Sequence, residues 1–306
     1  RHHQGKDALA MNIQLNNLAR LFLELPFCEQ TLLWQVLEES SFPFAQPHLK
    51  NKLQKSILQE SRYKQGKFQH KVWRNCTHFV VGQLGDYDYA ALRTQKIAFE
   101  TLFYSLTQNE TYCTPLKQGR TNTVFHYQAD DSNWVVKRYN IKSFWHGIMR
   151  AFRVTRAASS WQNANKLQLL HILTAKPIGV LQKKWGSFRR EAYFVMEYLK
   201  GQSLRQYLDS LANDAQLQDK MIIEVVQVLA ALKQNRLCHG DLKADNWWVC
   251  DAKLYLLDLD SLKGYRCAWL WKRAFNSDIK RFLKNWQDIP VVQQRFMAAF
   301  KESKLI

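Results

Sequence analysis

Several scarcities limit the classes to which this sequence can belong. It has 11 glycines and 6 prolines in 306 residues, which excludes collagen-like and low-complexity chains. No run of about 18 apolar residues occurs, so no segment is predicted to span a bilayer. The first residues have no apolar core, so no signal peptide is predicted. None of the six cysteines lies in a Cys-x-x-Cys pair. Their scattering excludes a zinc ribbon and predicts a reducing, cytosolic environment.

Acidic residues are also scarce. Lys and Arg total 44 against 26 Asp and Glu, which leaves a net charge of +18. From Ser132 to Arg190 there are twelve Lys and Arg, no acid, and interleaved aromatic residues. Such a face predicts an anionic membrane surface as partner. A merely solvated basic face stays open, and nucleic acid is disfavoured because it rests on charge alone. The residues concerned are Arg150, Arg153, Arg156, Lys183, Lys184, Arg189 and Arg190, with the aromatic residues Phe144, Trp145, Phe152, Trp185 and Phe188. A second candidate membrane anchor consists of Trp269, Leu270, Trp271, Lys272 and Arg273.

Hydrophobic periodicity predicts a mixed α+β chain. Leucines at helical spacing predict helices in 11–60, whereas 72–92 holds a short apolar run in which Asp86 and Asp88 are expected to form a solvated turn. From about residue 113 the pattern changes to strand, turn and strand. Helices are predicted over 145–171, 203–211 and 221–234, and a buried strand over 191–199. Two short strand-like segments, NWWVCD and KLYLLDLD, follow.

One constellation has a pattern specific enough to indicate chemistry. LCHGDLKADNWWV (237–249) contains His239, Asp241, Lys243 and Asn246, and Asp258 follows twelve residues after Asn246 in KLYLLDLDSL. This spacing resembles the catalytic loop and metal-binding segment of protein-kinase-like enzymes. The resemblance implies that Asp241 accepts the proton of a substrate hydroxyl, that Lys243 faces the γ-phosphate, and that Asn246 and Asp258 bind Mg²⁺.

Four segments resemble one branch of that group, the bacterial lipopolysaccharide kinase family. They are HGDLKADN, DLDSL, VVKRYN (135–140) and DIKRFLKNW (278–286). The resemblance covers about residues 113–290. It implies a bilobed protein-kinase-like fold with a small β-rich N-lobe (111–197) and a helical C-lobe (198–306), after a mostly helical region (1–110). It further implies an ATP- and Mg²⁺-dependent kinase for sugars of the lipopolysaccharide core. Such an enzyme would bind peripherally to the inner, cytoplasmic face of the inner membrane of a Gram-negative bacterium, with the core or another anionic glycolipid as partner.

The resemblance also implies a nucleotide site upstream of the catalytic loop. Lys137 would contact the α- and β-phosphates, and Gly119 would lie in the phosphate loop, with Arg120, Thr121 and Thr123 as possible donors. Main-chain groups of Glu197 and Leu199 would bind adenine, and Trp248 would lie under its ring. Lys137 has a competing interpretation as a snorkelling strand lysine, Gly119 as an ordinary hairpin residue, and Trp248 as a core tryptophan.

The sequence departs from the kinase pattern at three points. The helix that usually offers a glutamate to the strand lysine has none, so only Ser160, Gln162, Asn163 or Asn165 is expected to meet Lys137. Gly240 replaces an arginine used in phosphorylation switching. Only 20 residues separate Asp258 from Asp278, which favours a sugar over a protein acceptor, and Asp278 either braces the loop or caps a helix. The alternatives are a pseudokinase or nucleotide-binding scaffold of the cell envelope, and a kinase for proteins or small molecules.

Overall fold

Helices, one large antiparallel sheet and two small sheets make up the described part of the fold, where periodicity predicted a mixture of helices and strands. The computed structural model describes residues 2–39, 46–107, 113–119, 122–129, 131–139, 154–185, 188–212 and 214–306, and side chains in these ranges outside 2–10 and 184–190. Of the described helices, none is both long and apolar enough to cross a membrane. All six cysteines are free.

Three helices form the N-terminal part: α1 (His2–Glu24), α2 (Phe27–Glu39) and α3 (Pro47–Lys71). Leucines at helical spacing bury one stripe of each, so Leu15, Phe22 and Leu53 share a small core. The Trp161 indole donates to the Val72 carbonyl at 3.2 Å, which ties the end of α3 to the rest of the molecule.

The sheet has seven strands in the order β1-β2-β6-β7-β5-β4-β3. Every neighbouring pair is antiparallel. The apolar run in 72–92 supplies its first two strands, a role that periodicity alone did not predict. The strands are β1 (Phe79–Leu84), β2 (Tyr87–Leu92), β3 (Cys113–Gln118), β4 (Asn122–Ala129), β5 (Ser132–Tyr139), β6 (Pro177–Trp185) and β7 (Phe188–Glu197).

Each face of this sheet is covered by a helix. Side chains alternate along a strand, so Trp134 and Val136 of β5 face one side, whereas Lys137 does not. The Trp134 side packs against α4 (Lys96–Thr107), with Phe99 and Leu102 in the same cluster. Tyr139 belongs to the cluster on the other side, which includes α5 (Arg156–Leu169).

The remaining elements form a largely helical part with short strands, which continues the α5-side core. Phe275, Phe282, Phe296 and Phe300 are buried there. The helices are α6 (Leu204–Ser210), α7 (Ala215–Gln234), α8 (Ala268–Lys284) and α9 (Pro290–Glu302). The strands are β8 (Gln202–Ser203), β9 (Leu237–Cys238), β10 (Trp247–Cys250), β11 (Lys253–Leu256) and β12 (Lys263–Gly264). Between β9 and β11 runs the segment with the predicted catalytic residues.

Candidate active site

The loop from His239 to Asn246 connects β9 to β10. Its first residue, His239, is buried and anchors the loop. His239 is fully buried. Its Nε2 lies 2.8 Å from the Leu257 carbonyl, and the Asp241 N–H donates to its Nδ1 at 3.3 Å. A neutral ring protonated at Nε2 satisfies both contacts. The histidine therefore joins the catalytic loop to the segment that leads to Asp258.

Gly240 is required by the close approach of two loops. Its φ is +84°, a conformation that residues with a Cβ rarely adopt. A Cβ there would lie 2.9 Å from the Ser261 carbonyl oxygen, in the turn after Asp258. Local sterics thus explain why glycine, and not the arginine of regulated kinases, stands at position 240.

The Asp241 carboxylate lies between two cations. Arg281 of α8 donates to Oδ1 at 2.9 Å and to the Gly240 carbonyl at 2.8 Å. The Lys243 ammonium lies 3.0 Å from Oδ2. The structure therefore brings together both predicted catalytic residues, Asp241 and Lys243, and adds Arg281. Sequence analysis did not single out Arg281, although it lies in the RFLKNW segment that resembles the family.

Asp278 braces the same loop from one turn earlier in α8. Both of its carboxylate oxygens accept from the Gly240 N–H, at 3.1 and 3.2 Å, and only 5% of the residue is exposed. Burial raises the pKa of Asp278 above its ordinary value, although the Gly240 N–H acts in the opposite direction. Of the two roles predicted for Asp278, the structure shows the brace, because α8 begins ten residues earlier.

The two predicted metal ligands lie on adjoining segments. Asn246 donates from Nδ2 to the Asp241 carbonyl at 2.7 Å, which leaves its amide oxygen for another partner. Its own carbonyl accepts from the Leu257 N–H at 2.8 Å, directly before Asp258. Asp258 has left-handed backbone angles, φ 57° and ψ 58°. Aspartate tolerates this region better than most residues, and such conformations cluster at functional sites.

Lys137 pairs with Asp258, which corrects the expected set of partners. Its Nζ lies 2.6 Å from Oδ1, and its side chain is 9% exposed. Burial acts to raise the pKa of Asp258, but the charge and hydrogen bond of Lys137 outweigh it, so the pKa lies below its ordinary value. The prediction that a polar residue of α5 meets Lys137 is wrong for Ser160, whose hydroxyl contacts Tyr139, and for Asn165, which donates to Trp161.

Helix α5 supports the Asp258 segment instead of Lys137. Asn163 donates from Nδ2 to the carbonyls of Leu259 and Leu262, at 2.8 and 3.0 Å. The buried Lys166 donates to the Asn163 Oδ1 at 3.3 Å, and burial lowers the pKa of Lys166 to about 8. A lysine only donates, so this contact fixes which way the Asn163 amide points.

An ion pair holds the same turn at its outer end. The Arg156 Nε donates to the Asp260 carboxylate at 2.7 Å. Asp260 lies within the turn Leu259–Ser261 that follows Asp258, and Arg156 is the first residue of α5. The helix that lacks the kinase glutamate thus contacts this turn through an amide and a guanidinium.

The side-chain oxygen atoms of Asp258 and Asn246 suit a hard cation such as Mg²⁺. Asp258 supplies a carboxylate and Asn246 an amide oxygen, the ligand types that Mg²⁺ takes alongside substrate phosphates and water. Within the described ranges there is no cluster of three or more His, Cys, Asp or Glu that would enclose a metal by itself. The residues therefore fit a Mg²⁺ ion shared with a nucleotide better than a cage made only of protein.

Two of the three residues predicted for adenine binding, Leu199 and Trp248, are in contact at β10. The Trp248 indole donates to the Leu199 carbonyl at 3.2 Å. The Glu197 carboxylate accepts from the Lys176 N–H at 2.8 Å, so its side chain anchors a neighbouring loop. Trp248 is partly exposed, whereas Trp247 is fully buried against Phe282. The structure thus places Trp248 beside the predicted adenine segment and not in the core.

A glycine makes this approach possible. A Cβ on Gly201 would lie 2.1 Å from the Val249 carbonyl oxygen and 2.8 Å from the Trp248 indole nitrogen. The segment after Leu199 can therefore reach β10 only with glycine at this position. The sequence contains no sign of this requirement, because the contact joins residues almost fifty positions apart.

The structure describes two of the four residues of the predicted phosphate loop, Gly119 and Thr123. Gly119 donates its N–H to the Asn122 carbonyl at 2.9 Å and closes the turn between β3 and β4. Thr123 lies in β4, opposite Gln118. Arg120 and Thr121 lie outside the described residues.

The predicted basic face is only partly described. Arg138 pairs with Glu191 at 2.7 Å, and Lys183 lies over the Tyr87 ring. Phe144, Trp145, Arg150, Phe152 and Arg153 lie outside the described residues, as do the side chains of Lys184, Trp185, Phe188, Arg189 and Arg190. Arg156 is ion-paired, as described above. The second candidate anchor lies at the start of α8.

The sequence profile of the lipopolysaccharide kinase (Kdo/WaaP) family matches residues 107–302, which include every predicted site residue. The chain therefore belongs to the lipopolysaccharide kinase family. A solved structure described as WaaP in complex with acyl carrier protein is 13% identical, with 73% of this chain and 88% of that chain covered and a TM-score of 0.49. The comparison with curated proteins gave no significant match.

Proposed function

We propose that this chain is an ATP- and Mg²⁺-dependent kinase that phosphorylates a sugar hydroxyl of the lipopolysaccharide core. One observation supports it above the others: Asn246 donates to the Asp241 carbonyl and accepts from the Leu257 N–H, directly before Asp258, so that these hydrogen bonds hold the candidate base and both candidate metal ligands on adjoining segments. Membership of the lipopolysaccharide kinase family supports the acceptor class. Phosphoryl transfer needs positioned charges more than covalent chemistry, and this site has them.

Each side chain of the loop has a proposed task. Asp241 orients the acceptor hydroxyl and takes its proton, while Arg281 and Lys243 hold the carboxylate in place. Lys243 is half-exposed and has the length to reach the γ-phosphate from beside Asp241. Asn246 and Asp258 would hold Mg²⁺, which when bound neutralises phosphate charge.

The nucleotide lies, in this proposal, between the sheet and the β10 segment. Lys137 would contact the α- and β-phosphates, and its pairing with Asp258 supports that place. Gly119 would approach the phosphates with its main chain. Because the Leu199 carbonyl accepts from Trp248, we assign the Leu199 N–H and the Glu197 carbonyl to adenine, with Trp248 under the ring.

The same proposal extends to the architecture and the location. The sheet part (111–197) would act as the small lobe of a protein-kinase-like fold and residues 198–306 as the helical lobe. The region 1–110 would be an accessory part whose strands β1 and β2 complete the sheet of the small lobe. The enzyme would work at the cytoplasmic face of the inner membrane, where its acceptor lies.

A second candidate is a pseudokinase that binds nucleotide without transferring phosphate. It is favoured by the absence of a carboxylate on α5 for Lys137, whose positive charge is instead neutralised by the proposed metal ligand Asp258. Intact Asp241, Lys243 and Asn246 oppose it.

One experiment separates the two candidates. Phosphate transfer from ATP is measured with and without purified core oligosaccharide, and the product mass and phosphate position are determined. The kinase proposal expects acceptor-dependent transfer that is lost in Asp258→Ala, while circular dichroism shows an intact fold. A wild type that binds Mg·ATP but phosphorylates no core acceptor would refute the kinase proposal and support the pseudokinase.

A further inference from the structure

Helix α8 has two opposite faces with different tasks. Phe275, Asp278, Ile279 and Phe282 recur at helical spacing and are buried. The opposite side, here called the α8 face, consists of Trp269, Leu270, Lys272, Arg273 and Lys280. A surface groove of about 500 Å³ runs along it, lined by Trp269, Lys272, Arg273, Asn276, Ser277 and Lys280.

The α8 face exposes large apolar side chains. Trp269 is 66% exposed and Leu270 is 47% exposed, although both begin a helix whose other side is well packed. A tryptophan and a leucine side by side in water, next to cations, are typical of side chains that enter a membrane interface. Nucleic acid would offer phosphates to the cations but no apolar phase to Leu270.

The charge around this face is of one sign. Residues 263–284 contain seven Lys and Arg and a single acid, Asp278, which is buried against Gly240. In the described part of the chain, Lys272, Arg273 and Lys280 form no ion pair with a carboxylate. The exposed surface of this segment is therefore cationic throughout.

Further guanidinium groups extend this surface around the loop before α8. Arg62 donates to the Tyr265 carbonyl at 3.0 Å, and Arg236 donates to the Arg266 carbonyl at 3.1 Å. Burial and then the charges of Arg236 and Arg266 lower the pKa of Arg62. Cations held this close without an acid between them attract an anionic surface more strongly than scattered ones.

The α8 face is connected to the active site by the helix itself. Lys280 precedes Arg281, which contacts Asp241, and Asp278 braces Gly240. We propose that the α8 face docks the protein on an anionic bilayer and so presents Asp241 to an acceptor anchored in that bilayer. The part about the acceptor rests on the proposed function, whereas the docking surface does not.

Vesicle sedimentation tests the charge contribution. The full chain is mixed with vesicles of phosphatidylcholine alone or of phosphatidylcholine with phosphatidylglycerol. Each cation near such a surface adds about 1 kcal/mol, a factor of about five. Lys272→Gln/Arg273→Gln should therefore lower the partition coefficient on mixed vesicles about 30-fold. The control Lys52→Gln/Lys55→Gln removes the same charge from the exposed face of α3 and should bind nearly as the wild type.

A second variant tests the apolar contribution. Trp269→Ser/Leu270→Ser should lose the binding that remains when salt screens the charges. Its control is Leu32→Ser/Val36→Ser, which removes two exposed apolar side chains of α2. Wild-type affinity in both α8 variants would overturn the proposal, as would an equal loss in both controls. Binding of duplex DNA by the wild type, with no vesicle binding, would assign the face to nucleic acid instead.

Failure of docking is distinguishable from failure of the proposed function. The α8 variants should transfer phosphate to water-soluble, delipidated core oligosaccharide at the wild-type rate, because none of the four residues touches the loop. If wild type and variants bind vesicles as expected but no acceptor is phosphorylated, docking stands and the kinase proposal falls. If soluble acceptor is phosphorylated and vesicle binding is unaffected by the α8 changes, the kinase proposal stands and the docking proposal falls.

Discussion

Substitution of Asp241 by Asn separates catalysis from folding and from nucleotide binding. Asn keeps the size of the side chain and one acceptor oxygen, but it is not a base at neutral pH. General-base assistance contributes about 10²–10⁴-fold, or about 3–5 kcal/mol of barrier. We therefore expect turnover with core oligosaccharide to fall by that factor.

The structure limits the other costs of this change. Asp241 contacts Arg281 through one oxygen and Lys243 through the other, so the amide nitrogen must face one cation. Lys243 is 55% exposed and can turn into solvent. An exposed pair of this kind contributes at most about 1 kcal/mol, so the free energy of unfolding should change by less than that. The Asn246 amide contacts the main chain of Asp241, which remains.

Three measurements on one protein sample check this reasoning. They are initial rates with core oligosaccharide, the Mg·ATP dissociation constant by titration calorimetry, and urea unfolding. The control is Asp245→Asn, the same change at an exposed position of the same loop, which should leave all three unchanged. Equal turnover by Asp241→Asn and wild type would refute the role of Asp241 as base. A large loss of Mg·ATP affinity would show that Asp241 serves the nucleotide instead.

Three further changes test the supports of the site. Asn163→Ala leaves two main-chain carbonyls without their donor, so the free energy of unfolding in urea should fall by about 2 kcal/mol or more, whereas the exposed Gln168→Ala should change it little. Gly201→Ala forces a Cβ against a carbonyl of β10, so it should lower the free energy of unfolding by about 1–3 kcal/mol and weaken ATP binding. Gly66→Ala, at a helix position with open space around it, should instead raise the free energy of unfolding. Because the pKa of Asp278 is raised, the fold loses stability as pH rises from the unfolded-state pKa of about 3.9 through the folded-state pKa. The free energy of unfolding of Asp278→Asn should therefore increase relative to that of the wild type over this pH window. Urea unfolding that shows the same difference between the two proteins at every pH would contradict the assignment.

The loop with the candidate catalytic residues could be identified from sequence because those residues are close together along the chain. Asp241, Lys243 and Asn246 lie within six positions, and short-range geometry allows few ways to arrange them between two strands. The strands β10 and β11 and the helices α6 and α7 were likewise predictable, since periodicity of apolar residues sets which side of each element is buried. The family resemblance followed from the same local motifs.

Tertiary structure decided what lies around that loop. The partner of Lys137 comes from 121 positions away, and the braces Asp278 and Arg281 reach Gly240 and Asp241 from a later helix. No local pattern encodes such pairs, because the free energy that selects them comes from burial and charge after the chain has folded. The strands in 72–92 are a similar case: β1 pairs with β2, and the pairing of β2 with β6 depends on a sheet assembled from distant segments. The sequence by itself thus determined which residues are candidates for the chemistry, and packing determined which residues hold them.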